Sequence, residues 1–364
     1  MIRLILAAAL LFIVAPLQAQ SPSAEEIVAR HLEARGGAQR LAALKTVVYR
    51  NGTYHEGSYT GSGRAFMAMA RPYFKIVGDP ADTSSDFREG YDGSAWEWYR
   101  SPGIVVRTVG AANAASRHNL DPEGPLSGYR SKGTRIERIA DASIGGRNAF
   151  GVLVTLRDGV RTEYFFDQQT FLTVATRRAA PIHAFGAPVV SEERFGDYRA
   201  VDGILFPFKA TETEIATGQE LSSMQWSAID VNRELPREWF SPPQFTRTLL
   251  QDLLEHLYYE RADTSALHWT YFAFRRAHPE IDTREGVEVI GYQMLKMGDQ
   301  AGGIAVLAMN AEDYPQSSTS AFGLGRAYNA AGDKVRARQS FERALQLDPN
   351  NKRAADALAR LRLP

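Results

Sequence analysis

Residues 152–166 read VLVTLRDGVRTEYFF. Val152, Val154 and Leu156 fall on one face of an extended chain, and beyond Asp158-Gly159 the residues Val160, Thr162, Tyr164 and Phe166 do so again. Side chains alternate across a strand, and an Asp-Gly pair supplies the positive φ angles of a tight turn. The stretch therefore predicts a β-hairpin. Asp92-Gly93 and Asp202-Gly203 sit between similar runs, and Phe171 to Thr176, Ser191 to Tyr198, Ile204 to Glu214 and Leu221 to Val231 continue the pattern. The expectation is an antiparallel meander of roughly eight to eleven strands.

A helix comes first. Ser23 and Glu26 have capping-box spacing, Ile27, Val28 and Leu32 share one face, and Gly36-Gly37 ends the run. A short second turn carries Leu41 and Leu44, and the period then changes from 3.6 to 2. Asn51-Gly52-Thr53 fits a glycosylation sequon but reads more simply as a turn. Residues 21–243 are enough for one sizeable core. Its inner face is bulky and aromatic: Phe66, Tyr73, Phe74, Trp96, Trp98, Tyr164, Phe166, Phe206, Phe208 and Trp226, with Met67 and Met69 nearby. These residues make either ordinary core or the lining of an apolar cavity, which a curved sheet closed by one amphipathic helix encloses.

Four segments carry a family resemblance: EEIVARHLEARGGAQRLAALKTV (25–47), GYDGSAWEW (90–98), DYRAVDGILFPFKATETE (197–214) and IDVNRELPREWFSPP (229–243). Together they resemble the periplasmic outer-membrane lipoprotein-carrier (LolA/LolB-like) superfamily. The resemblance implies an incomplete antiparallel barrel wrapped on helices, with a hydrophobic cavity for a lipid or a lipoprotein acyl chain. That family uses an arginine to lock a lid; here Arg100, Arg107 and Arg130 all lie in plausible loops. Residues 101–133, rich in Gly, Pro and Ala, break the strand pattern for longer than a hairpin loop and read as a lid or a disordered segment.

No catalytic motif emerges. The seven histidines form no HxH or HExxH pair, and neither a nucleophile elbow nor a Walker loop is present. Glu212 and Glu214 share a strand face, which the surrounding threonines mark as the solvent side. The sequence therefore predicts no enzyme, cofactor or metal; a hydrolase with an unrecognised site is the remote alternative.

The last third of the chain repeats itself. Gly291, Gly298 and Pro315 recur as Gly325, Gly332 and Pro349, an offset of 34 residues. Leu324, Gly325, Tyr328, Ala337, Phe341, Ala344 and Pro349 resemble the signature of a tetratricopeptide repeat. In the preceding copy Met294, Gly303, Leu307 and Asn310 stand at the corresponding positions. Two repeats (284–351) need covered ends, because a single repeat cannot bury its own apolar face. Residues 352–364, with Ala355, Leu358 and Leu361, are the expected closing helix, and 244–283 a degenerate helical pair or linker. That pair carries a Leu249 to Tyr258 stripe and a partner segment with Trp269, Tyr271, Phe272 and Phe274. The array is acidic first, with 5 Lys+Arg against 11 Asp+Glu over 249–317, then basic, with 9 against 4 over 318–364. It suits a protein or peptide partner.

Residues 1–20 have the layout of a cleavable signal peptide: Arg3, an apolar run from Leu4 to Val14, then Leu17-Gln18-Ala19. No stable transmembrane segment is expected after cleavage. There is no cysteine, which excludes disulfides, thiol catalysis and a lipid-modified N-terminal cysteine, and net charge is zero, so no nucleic acid is expected as partner. The fold class is α+β: a curved antiparallel sheet with an N-terminal helix, then an all-α array, exported to the periplasm or secreted. The functional expectation is an apolar-ligand binder with a docking array. The alternative is a pure interaction scaffold whose β domain has a solid core.

Overall fold

The computed structural model describes residues 21–56, 59–71, 74–82, 87–100, 103–107, 113, 120–180, 189–244, 247–259, 263–296 and 298–361. The expected signal segment lies outside them. Helix α1 (Ala24–Ala34) opens with the expected capping box: Ser23 Oγ accepts from the Glu26 amide at 3.2 Å and Glu26 Oε2 accepts from the Ser23 amide at 2.8 Å. A single helical turn, α2 (Ala38–Ala42), follows.

The strands are β1 (Thr46–Glu56), β2 (Tyr59–Ala70), β3 (Phe74–Val77), β4 (Phe87–Tyr91), β5 (Ala95–Tyr99), β6 (Ile104–Arg107) and β7 (Arg135–Ile144). Then come β8 (Arg147–Thr155), β9 (Arg161–Asp167), β10 (Thr173–Ala180), β11 (Val189–Val201), β12 (Ile204–Glu214), β13 (Glu220–Gln225) and β14 (Ala228–Val231). They form one antiparallel sheet in the order β6-β5-β4-β3-β2-β1-β13-β12-β11-β10-β9-β8-β7, with β14 also paired to β1. All three Asp-Gly pairs sit in hairpin turns, with φ of 128° at Gly93, 90° at Gly159 and 77° at Gly203. The sheet has fourteen strands, more than the eight to eleven expected. The run from Leu221 to Val231 divides into β13 and β14, and part of the long 101–133 segment is the strand β6. The anticipated turn at Asn51-Gly52 is instead a bulge inside β1: Asn51 has φ 54°, and the register with β2 shifts around Gly52.

Parity along the strands divides the core. Val47, Met67 and Met69 face inward with Leu41, Leu44, Ile204, Phe206, Phe208 and Trp226. Val48, Phe66 and Ala68 face the other way and pack with Trp96, Trp98 and Phe240. Ile27 and Val28 of α1 bury against Val152, Val154 and Phe166 on the inner face of β8 and β9.

The helices after the sheet are α3 (Leu249–Tyr259), α4 (Thr264–Ala277), α5 (Arg284–Lys296), α6 (Gln300–Asp313), α7 (Ser318–Ala330), α8 (Lys334–Leu347) and α9 (Lys352–Leu361). Successive pairs repeat one packing. A Cβ on Gly291 would come within 2.4 Å of Leu307, and one on Gly325 within 2.5 Å of Phe341, so each pair crosses where its first helix has no side chain. Helix α9 closes the end through Ala354 and Leu358, one register position from the expected Ala355, which is exposed. In α4, Leu267 and Tyr271 supply the buried face while Trp269 is 71% exposed.

The array is joined to the sheet. The edge strand β6 is covered by α3: Ile104 and Val106 pack against Leu253, Leu254 and Leu257, Gln251 donates to the Gly103 carbonyl, and Tyr258 Oη donates to the Arg107 carbonyl at 2.7 Å. An otherwise unpaired edge is thereby blunted. Gln293 of α5 donates to Glu97 at 2.6 Å and to the Tyr99 hydroxyl at 2.9 Å, and that hydroxyl itself donates to Glu97. Leu254 is fully buried at this junction. Leu254→Ala is therefore expected to cost about 2–5 kcal/mol, measured as a lowered urea midpoint followed by both far-UV and tryptophan signals. An unchanged midpoint would mean that the array does not dock here.

Candidate functional site

The inner face of the sheet is hollow. A cavity of about 430 Å³ lies between α1, residues 121–125 and the strands β1–β3 and β8–β13. That is a size typical of small-molecule sites, which run from roughly 300 to 1,000 Å³. Its apolar wall consists of Tyr49, Met67, Met69, Val154, Leu156, Tyr164, Phe195, Phe206, Met224 and Trp226. Tyr49 packs its ring 5.3 Å from Trp226 and edge-on to Phe206. Thioethers flanked by rigid rings make a surface that adapts to different apolar shapes.

The wall also holds charged groups, and two sets can be separated. One set comprises Lys75, Arg178, Glu193 and Glu212. Glu212 accepts from Ser191 Oγ at 2.7 Å and from Ser222 Oγ at 3.4 Å, so it faces the cavity and not the solvent as the sequence pattern implied. Burial pushes the Glu193 carboxyl above its usual range, with Arg178 opposing the shift. The second set is Arg35, His31 and three phenols, Tyr49, Tyr164 and Tyr198.

Arg35 follows the last residue of α1 and turns into the cavity. Its Nε donates to the Leu205 carbonyl at 3.3 Å, its Nη1 to the Glu123 carbonyl at 3.4 Å, and its guanidinium lies 5.5 Å from the Phe206 ring centroid. None of the described carboxylates pairs with it. The nearby acids are committed elsewhere: Asp121 to Lys132 at 2.5 Å, and Glu123 to Arg71 at 2.7 Å and Lys132 at 3.1 Å. Burial lowers the Arg35 pKa, opposed by Tyr198, Tyr49 and Tyr164. Burial likewise raises the Tyr49 and Tyr164 phenols to about 12. His31, 3% exposed, is pulled down to about 3 by burial and by the Arg35 charge, while its Nδ1 bonds the Phe171 carbonyl at 2.9 Å. This end of the cavity therefore holds one full positive charge at neutral pH.

Of the ten aromatic residues singled out from sequence, Tyr164, Phe206 and Trp226 line the cavity. Phe66, Phe74, Trp96 and Trp98 belong to the opposite face of the sheet, beneath Trp239 and Phe240, where Trp96 Nε1 donates to the Phe240 carbonyl at 2.9 Å. A shift of one residue in parity accounts for the difference, since period-two runs do not reveal which face is inner. Phe166 is on the inner face but is covered by α1, with its ring 4.8 Å from His31. Phe208 is buried in the inner core with the Arg199 guanidinium 4.6 Å from its ring. Tyr73 lies outside the described residues.

Tyr49, Tyr198 and Arg35 also line the cavity, and neither alternation nor the helix period marks them in the sequence. Phe195 and Tyr198 have opposite parity on β11, yet both reach the cavity; Asp197 between them has φ 52°, which alternation alone does not foresee. Arg107 pairs with Asp92 at 2.6 Å, Arg130 lies over Tyr129, and Arg100 lies near Trp98, so none of the three arginines considered for a lid lines the cavity. Of the expected cover, residues 101–102, 108–112 and 114–119 lie outside the described residues, while Leu120 and Leu126 are buried.

On the array, Ala311, Tyr314, Pro315, Ala321, Leu324 and Arg343 border a groove of about 340 Å³ between α6, α7 and α8. Ala337 and Ala344 are buried against Phe341, Tyr328 lies under the Arg336 guanidinium, and Pro315 and Pro349 follow the ends of α6 and α8. Among the described residues no helix is long and apolar enough to cross a membrane.

No protein-family model matches the chain. No curated protein matches it either. Among solved structures it is similar to a DUF1329 family protein from Desulfovibrio piger, at 11% identity and a TM-score of 0.40, covering 60% of this chain and 97% of that one. It is also similar to a LolA superfamily protein from Nitrosomonas europaea, at 13% identity and a TM-score of 0.41, covering 61% of this chain and 99% of that one.

Proposed function

We propose that this protein is an exported, non-catalytic carrier or sensor of a lipid or other apolar ligand, held between α1 and the sheet. On this reading the helical pairs of 284–351 act as tetratricopeptide repeats that dock a protein or peptide partner. The observation that carries the proposal is the hollow inner face: about 430 Å³ lined by Tyr49, Met67, Met69, Tyr164, Phe206, Met224 and Trp226. A sheet that served only as a scaffold would gain stability by filling that space, since the lining of a void forgoes dispersion contacts. The array's own attachment fits the same reading. Because α3 and α5 are spent on β5 and β6, the surface left for a partner is the later pairs, including the groove beside Leu324 and Arg343.

The test is organic extraction of the purified protein followed by mass spectrometry, together with uptake of an apolar fluorophore by the delipidated protein. Near-stoichiometric lipid, or saturable uptake that extracted lipid competes away, is the expected result. Clean extracts combined with no uptake would remove the ligand-binding reading and leave the array as the functional part.

A further inference from the structure

We infer that the cavity selects a single-chain amphiphile whose anionic headgroup pairs with Arg35, the tail lying along Met67, Met69, Met224 and Trp226. This inference rests on the apolar-ligand reading and adds the chemical class of the ligand. Three observations lead to it.

The first is the unmatched guanidinium. The Arg35 side chain is half-buried in the cavity wall, and a charge withdrawn from bulk water without a counter-ion is costly, so proteins ordinarily pair it. Here the two acids nearest in the chain segment that crosses the cavity are taken by Lys132 and Arg71, and Glu123 offers Arg35 only its backbone carbonyl. The two carbonyl bonds hold the guanidinium in place through Nε and Nη1 and leave the charge itself uncancelled.

The second is the surrounding donor set. Tyr49 and Tyr164 line the cavity, and burial keeps their phenols protonated, so each can donate to an oxyanion beside the guanidinium. Tyr198 donates to the Thr173 carbonyl at 2.8 Å and so closes the group as a wall. A guanidinium with neighbouring hydroxyl donors is matched to a carboxylate or a phosphate monoester.

The third is charge balance, which tells Arg35 apart from the other cavity cations. Lys75 and Arg178 face Glu193, and Glu212 lies on the same wall, so that end contains its own counter-ions. The Arg35 end has His31 held neutral, and its one lining acid, Asp121, is committed to Lys132, so the Arg35 charge is left for an anionic headgroup. The cavity volume suits one chain better than two.

The experiment compares cis-parinaric acid with its methyl ester on the delipidated, purified protein. Wild type should bind the acid at least about tenfold more tightly than the ester, the range expected when a charge-assisted hydrogen bond is kept or lost. Arg35→Gln should abolish that preference by weakening the acid alone, while Arg130→Gln, at an exposed position outside the cavity lining, should retain it. Equal affinity of acid and ester for wild type overturns the headgroup assignment and leaves the apolar cavity standing; so does a preference that survives Arg35→Gln. Binding of neither probe overturns the cavity reading itself. If Arg35→Gln does not fold, Tyr164→Phe carries the test: a loss of a few fold for the acid with none for the ester supports the assignment, and identical behaviour of both probes overturns it. Competition by palmitate against hexadecyl phosphate then names the headgroup, and competition by neither overturns the proposal.

Discussion

Gly36→Ala should lower stability by about 3–5 kcal/mol, the largest single-methyl effect expected anywhere in the β domain. Gly36 has φ 120°, where an L side chain is strained, and an added Cβ would lie 2.2 Å from the Gly203 carbonyl oxygen and 3.1 Å from the Ile204 Cα. Neither obstacle is a side chain that can swing away. Both belong to the β11–β12 turn, whose next residue is bonded to the helix end: the Leu205 amide donates to the Arg35 carbonyl at 2.9 Å. The extra carbon must therefore push α1 off the hairpin or open the hairpin, and either movement shifts the guanidinium that points into the cavity. Against a typical total of about 5–15 kcal/mol, much of the fold's margin would be lost. Urea denaturation would measure the loss directly, and a change below about 1 kcal/mol would show that the α1–hairpin contact has slack.

That contact also shows what a reader of the sequence can and cannot see. The helix end was visible because Gly36-Gly37 stops an apolar period, and the hairpin because Asp202-Gly203 interrupts an alternating run. Their meeting was not, since it joins residues some 170 positions apart through backbone atoms that carry no side-chain signal. The cavity lining follows the same division. Tyr164 and Phe206, which line the cavity, stand in alternating strands whose inner face is marked by the apolar residues beside them. Trp96 and Trp98 lie on the face opposite the cavity, which their pattern does not reveal because β5 is buried on both sides, with Ala95, Trp96, Glu97 and Trp98 all buried, and a doubly buried strand has no polar face to orient it. Arg35 escaped because a cation just after a helix reads as a favourable charge at the negative end of the helix dipole, a role that needs no ligand. The repeat was the most legible part: Gly291 and Gly325 each lie against the residue 16 positions on, Leu307 and Phe341, as a period of 34 requires.

Acid should destabilise this protein through His31 in particular. The ring is buried between α1 and the inner face of β9, 4.8 Å from Phe166. Burial, then the charge of Arg35, lowers its pKa from 6.5 to about 3, with the Phe171 carbonyl pulling weakly the other way by accepting the Nδ1 proton. The folded protein thus keeps His31 neutral over a pH range in which the unfolded chain takes up a proton. Stability rises with pH wherever the unfolded state binds more protons, so the contribution is complete above about pH 6.5 and is lost progressively as pH falls toward about 3. The slope is about 1.4 kcal/mol per pH unit, which makes the loss on the order of 2–3 kcal/mol by about pH 4.5. Other groups act in the same direction, since Asp167 and Glu192 are held below their usual range by hydrogen bonds to Thr170 and Gln169 and to Arg177 and Arg194, against burial. A double comparison separates them. His31→Gln keeps a donor for the Phe171 carbonyl but cannot titrate, so the stability of wild type relative to the variant should fall by about 2–3 kcal/mol between pH 7 and pH 4.5. If the two urea midpoints instead fell in parallel, the acid sensitivity would reside in the carboxylates and His31 would be protonated at no cost inside the fold. That outcome would also place a second positive charge beside Arg35 below about pH 6.5, where a dianionic phosphate monoester would gain over a carboxylate.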